Sequence, residues 1–217
     1  MKVAVVLYDA VEPIDLGVVG VLSMATRVTG ELAYFTVAEH GGTVTLQNGL
    51  RVEVDHAFDT APAADVVIVT GGPGWRRESD NPAMHRFLRK RKAANEVVAS
   101  VCTGAMILAS AGLLDGRRAT TKFQVVPPET SPLDELGERF DVVPAAALIV
   151  DEGDIVTGGG VTLGIDTTLY LLARYLGEDV AQETARIMEY AAAWETNRKR
   201  LPVFSDQAQP SALAQVQ

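Results

Sequence analysis

One thiol, a few carboxylates and a pair of glycines mark where this chain could do chemistry. Cys102 is the only cysteine among 217 residues and sits in "ASVCTGAMILASAGLL". An apolar, β-branched run precedes it and a small-residue helical pattern follows, so it stands on a strand-to-helix turn. Such a turn lifts a side chain out of a sheet and leaves it beside a helix N-terminus. The helix dipole and the free N–H groups favour an anion there, which predicts a thiol drawn down from about 8.5 toward neutrality. Thr103 is placed to donate a hydrogen bond to the sulfur, and Gly104 lets the backbone turn closely. The competing reading is a small hydrophobe that ends a buried strand and simply packs. Position alone leaves the two balanced. The choice turns on partners, because a thiolate nucleophile needs a proton shuttle and support for developing negative charge.

Asp15 is the leading shuttle. It follows the first strand, between apolar Ile14 and Leu16, where burial would raise its pKa. Glu12 competes with it, and Asp9 more weakly. Gly71 and Gly72 in "VTGGPG" end another strand and could aim bare N–H groups at an anion. Of the three histidines, His56 falls in a hairpin, His85 on a surface helix and His40 at the end of the second strand. None is placed as a cysteine partner. "TGGGVTLGID" (Thr157–Asp166) matches no GxGxxG or Walker pattern. Its Gly159, Gly160 and Val161 are read as lining the pocket or packing close to the cysteine's helix.

These residues need strands that end together. "KVAVVLY", "ELAYFTVAE", "ADVVIVTGG" and "EVVASVC" are short apolar runs of the kind buried in parallel sheets. Helical patterns alternate with them: "PIDLGVVGVLSMATRV", "NPAMHRFLRKRKAAN" and "TGAMILASAGLLDG". Asn81 should cap the second of these, with Pro82 at its first position. "GGTVTLQNGLRVEVDHAF" reads as a hairpin turning at Asn48-Gly49. "RRATTK" is a fifth strand candidate. Two more strands should meet at a turn at Glu152-Gly153. "VTLGIDTTLYLLARYLG" and "EDVAQETARIMEYAAAW" are the last two helices. The alternation predicts an α/β sheet with helices on both faces and ligands at the carboxyl ends of the strands. One domain is expected over residues 1–195, followed by a tail at 196–217.

Composition excludes other classes. The net charge of −9 argues against a nucleic-acid binder, so the "RKRK" run reads as a solvated helix face. A single cysteine forbids an internal disulfide, and no Cys/His spacing suggests a metal. No apolar run reaches the roughly 18 residues of a membrane span. The chain reads as cytoplasmic, acting on a small molecule.

"VCTGAMILASAGLLDGRRATT", the "IDL" after the first strand, "VVIVTGGPG" and "VTGGGVTLGID" resemble the ThiJ/PfpI superfamily through about residue 190, nearest by motif to its isocyanide hydratase branch. The resemblance implies a flavodoxin-like three-layer sandwich with a mostly parallel central sheet and a nucleophile elbow. It implies a homodimer with no cofactor. It also implies Cys102 as nucleophile, Asp15 as general acid/base, Thr103 as the residue after the nucleophile and Gly72 as the backbone anion-binding position. The implied reaction adds water to R–N≡C. A glyoxalase or other hydrolase of small electrophiles, and a cysteine redox sensor, are the alternatives. Two segments depart from the family pattern: "DLGVVGV" where "DL-x-GP-x-E" is common, and "TTKF" where "TTHW" is common. They make Lys122 and Phe123 pocket candidates. Thr103 stands where the protease-like branch has His.

Overall fold

In the computed structural model, residues 1–205 are described. Along the chain run β1 (Lys2–Val6), a 3-10 turn (Pro13–Leu16), α1 (Gly17–Ala25), β2 (Ala33–Ala38), β3 (Gly42–Thr45), β4 (Arg51–Val54), β5 (His56–Ala57), β6 (Val66–Val69), α2 (Trp75–Glu78), α3 (Pro82–Ala93), β7 (Val97–Ser100) and α4 (Gly104–Ser110). Then come β8 (Arg117–Ala119), α5 (Pro132–Arg139), β9 (Val142–Pro144), β10 (Ile149–Asp151), β11 (Ile155–Gly158), α6 (Leu163–Leu176), α7 (Glu178–Ile187), α8 (Ala191–Arg200) and β12 (Val203–Ser205).

Among the described residues eight strands form one sheet in the order β12-β10-β11-β7-β6-β1-β2-β5. From β5 to β11 neighbours are parallel; β10 runs antiparallel to β11, and β12 parallel to β10. The central order β2-β1-β6-β7-β11 is the doubly wound, flavodoxin-like arrangement, with its switch point beside β1. Helices α1, α6 and α7 pack together as one layer, and α2, α3, α4 and α5 as the other. Val3–Val6 and Val66–Val69 are buried throughout, as strands covered on both faces must be. Each buried valine or isoleucine among them contributes roughly 1.5–3 kcal/mol. Among the described residues no helix is long and apolar enough to cross a membrane.

Local signals act as expected in several places. Asn81 Oδ1 accepts from the Ala83 and Met84 amides at 2.9 and 3.3 Å, and Pro82 opens α3. The β3–β4 hairpin turns at Asn48-Gly49, with Gly49 at φ 86°.

Other expectations are corrected. "RRATTK" does not join the central sheet: among the described residues β8 pairs only with β9, because strand β11 already occupies the edge of β7. The last helical run is two helices, broken where Glu189 adopts φ 57°. Residues 196–200 finish α8, and β12 adds an edge strand beyond them. Of the tail at 196–217, residues 206–217 lie outside the described residues. The "RKRK" face is more than solvated: Arg91 is buried against Glu96 at 3.1 Å, and Lys92 reaches Asp154 at 2.7 Å. α2 and β5 are too short for a periodic signal, and α5 is a further helix that the sequence reading does not include.

Candidate active site

Four strands deliver the site at their carboxyl ends. β7 runs into α4 through Cys102, which adopts φ 52°, the left-handed region that non-glycine residues avoid. The turn is held at three points. The Cys102 amide donates to the Gly159 carbonyl at 3.1 Å, the Thr121 hydroxyl donates to the Cys102 carbonyl at 2.7 Å, and Gly104 N–H reaches the Val101 carbonyl at 2.9 Å. The strained conformation is therefore fixed by the end of β11 and by the loop after β8. Cys102 is 2% exposed and Asp15 1%.

Two consecutive peptides after β6 organise the rest. In the Thr70–Gly71 peptide the N–H donates to Asp15 Oδ2 at 2.6 Å. In the Gly71–Gly72 peptide the carbonyl accepts from the Glu12 amide at 3.0 Å, and the N–H donates to Thr103 Oγ1 at 2.8 Å. Both glycine amides thus have partners inside the protein. They hold Asp15 and Thr103 rather than standing bare toward a ligand, which corrects the expectation of two free anion-binding amides. The Asp15 carboxyl and the Cys102 thiol each shift the other's titration, Thr103 favours the ionised sulfur, and the Thr103 hydroxyl donates to the Gly72 carbonyl at 3.4 Å. Asp15 Oδ1 accepts no hydrogen bond of good geometry.

Burial sets the proton balance. It raises the Asp15 carboxyl from an ordinary 3.8 to about 7; Glu12 adds to the rise, while the Gly71 amide and the Cys102 thiol oppose it. Burial also pushes the Cys102 thiol up, reinforced by Asp15, against the pull of Thr103 and Lys122. The helix N-terminus does not win here, contrary to the expectation of a lowered thiol, because Cys102 is buried and stands beside a carboxyl. The pair holds one negative charge comfortably and two poorly. An ionised Asp15 beside a thiol carries the same single proton as a protonated Asp15 beside a thiolate. The alkylation rate of Cys102 by iodoacetamide is therefore expected to step upward as the pH rises through about 7, where Asp15 loses its proton. It should level off before the second proton leaves. A profile without that first step would show that Asp15 does not govern the thiol.

A cavity of about 630 Å³ opens above the sulfur, lined by Glu12, Gly72, Cys102, Thr103, Lys122 and Val161, with Trp75, Arg76 and Pro132 among the other walls. Gly160 backs the sulfur: a Cβ there would stand 2.8 Å from it. Phe123 does not line the cavity, so its expected place in the pocket is corrected; the chain turns its neighbour Lys122 inward instead. None of the three histidines lines it either. Among the described residues no group of three His, Cys, Asp or Glu side chains could hold a metal ion. Thr121, Trp75 and Arg76 went unanticipated. Thr121 lay inside the quoted "TTKF" and was the most readable of them.

The glycine pair has no room for side chains. A Cβ on Gly71 would lie 2.4 Å from the Thr103 amide and 2.8 Å from Cys102 Cβ. Gly71→Ala is expected to destabilise the fold by about 2 kcal/mol or more, since backbone must move on both sides. Urea denaturation would measure it, and an unchanged midpoint would contradict the close approach.

The profile of the DJ-1/PfpI family matches residues 1–174. The chain belongs to the DJ-1/PfpI family. Within that family it is similar to the isonitrile hydratase of Pseudomonas putida, 32% identical over 89% of this chain and 80% of the relative. The HTH-type transcriptional regulator GbdR of Pseudomonas aeruginosa is 29% identical, and this chain spans half of the regulator's length. A solved ThiJ/PfpI family protein from Pseudomonas syringae superposes with a TM-score of 0.75 at 28% identity, covering 87% of this chain and 74% of that one. DJ-1/PfpI relatives thus include both an enzyme and a regulator.

Proposed function

We propose that this DJ-1/PfpI protein is a cysteine-dependent hydratase that converts isocyanides to N-substituted formamides. The observation that carries the reading is a buried thiol beside a buried carboxyl whose pKa is raised to about 7, with no histidine lining the cavity. A nucleophile paired with an acid of that strength suits addition across a carbon that must accept a proton near neutral pH. The similarity to isonitrile hydratase supports the same choice.

In the proposed sequence the proton first passes from Cys102 to Asp15. The Cys102 thiolate attacks the terminal carbon of R–N≡C, forming a C–S bond, and Asp15 gives its proton to that carbon. The product is a thioimidate, R–N=CH–S. Ionised Asp15 then takes a proton from water as the hydroxyl adds to the same carbon. The hydroxyl proton moves to nitrogen as the C–S bond breaks, releasing R–NH–CHO and the thiolate. Thr103 supports the sulfur anion before attack and on its release. The cycle needs no external oxidant, reductant or cofactor.

Incubation with benzyl isocyanide, following formamide by chromatography, tests the reading; no formamide above the uncatalysed rate would overturn it. Lys122 favours a second reading. An ammonium near the sulfur would stabilise the oxyanion of the adduct between a thiol and an aldehyde. Lactate release from methylglyoxal, without isocyanide turnover, would select that reading.

A further inference from the structure

We propose that Tyr8 is a positioning residue for the Asp15–Cys102 pair, acting through the Thr70–Gly71 peptide. Tyr8 is buried just beyond β1, and its hydroxyl donates to the Thr70 carbonyl at 2.8 Å. That carbonyl belongs to the same peptide whose N–H holds Asp15 at 2.6 Å. A peptide transmits polarisation between its two ends. A donor on the oxygen draws electron density from nitrogen and makes the N–H a stronger donor. The chain of bonds therefore runs from the Tyr8 hydroxyl, through one peptide, to the carboxyl.

The surroundings make this link matter. The other Asp15 oxygen has no well-formed partner, so the Gly71 amide and the Cys102 thiol are what favour the ionised carboxyl. Glu12 faces Asp15 and opposes ionisation; Lys122 acts on the sulfur side. Tyr8 itself is faced by Asp15 and Cys102 from the site, and by Glu78 and Arg77 from α2. Burial and these acids push its phenol well up, so the hydroxyl stays a donor throughout the working range. The ring is also fixed: a Cβ on Gly74 would meet it at 3.0 Å, so the start of α2 closes over it.

The inference rests on Asp15 as the acid/base group, and not on isocyanides as substrate. The test reads Asp15 directly, by a pH titration of its carboxyl carbon with ¹³C NMR on the full chain. In Tyr8→Phe the midpoint is expected to rise by about half a pH unit, since the amide becomes a weaker donor. Site-specific 3-fluorotyrosine at position 8 has a more acidic hydroxyl and should lower the midpoint; it keeps the test open if the Phe variant does not fold. The low-pH limb of the turnover profile should move with the NMR midpoint. A purely structural Tyr8 would change stability and leave both unmoved, and an unmoved midpoint in either folded protein overturns the inference. Opposite shifts in the two proteins, without isocyanide turnover, would support the link to Asp15 and remove only the hydratase reading.

Discussion

An Asp15→Asn protein is expected to lose most isocyanide turnover and yet to unfold at a higher temperature than its parent. Both effects come from one displaced proton equilibrium. Folding raises the Asp15 carboxyl from 3.8 to about 7, so the folded chain binds that proton more tightly than the unfolded chain does. The stability this contributes is complete below about pH 4 and is lost as the pH rises through about 7. A displacement of about three units corresponds to about 4 kcal/mol at pH 8. Asn keeps an oxygen for the Gly71 amide and never ionises, so the loss disappears. For a chain of this size the gain would appear as a rise in Tm of roughly 5–10 °C at pH 8, shrinking toward zero near pH 4. Calorimetry of both proteins across that range checks the sign. An Asn variant no more stable at pH 8 than its parent would mean that the carboxyl costs nothing where it sits. The activity loss has a separate origin: Asn can neither deliver a proton to the isocyanide carbon nor take one from water.

Cys102→Ala is expected to bring formamide production down to the uncatalysed rate, a loss on the order of 10⁴-fold or more. The proposed route passes through a bond to sulfur, and nothing else in the cavity wall replaces it. The fold should survive. Alanine tolerates φ 52° no better than cysteine, but the amide and carbonyl that pin the turn remain bonded to Gly159 and Thr121. Cys102→Ser separates the nucleophile from a mere hydrogen-bonding role. Its hydroxyl keeps the shape and the partners, yet ionises far less readily than a thiol, so it should be nearly as inactive as the Ala variant. Formamide yield with circular dichroism on each variant decides the matter; turnover surviving in a folded Cys102→Ala protein would sink the mechanism.

The strands that build the site were legible because valine-rich runs of four to seven residues have few other places to go in a chain of this length. Cys102 was legible for a related reason: it follows such a run and precedes a helix, which is where the sheet presents its ligands. What the sequence hid was the fate of hydrogen bonds. Gly71 and Gly72 read as bare donors, since glycine usually means access. Here it means lack of space, and the amides are taken by Asp15 and Thr103. The direction of the thiol's shift was hidden too. A helix N-terminus is visible as a pattern, whereas the desolvation that outweighs it depends on residues far away in the chain. Phe123 and Lys122 are neighbours in sequence, and only the path of the loop decides which of them faces the cavity.

The two ends of the eight-stranded sheet have a consequence for the molecule in a crowded solution. Among the described residues β5 contributes two residues to one edge and β12 three to the other. An edge strand with unpaired amides and carbonyls is a template on which another chain can add itself, and its danger grows with its length. The buried, valine-rich strands β1 and β6 lie in the middle, where both sides are already satisfied. The architecture that brings four strand ends together around a thiol thus also keeps its stickiest backbone away from neighbours.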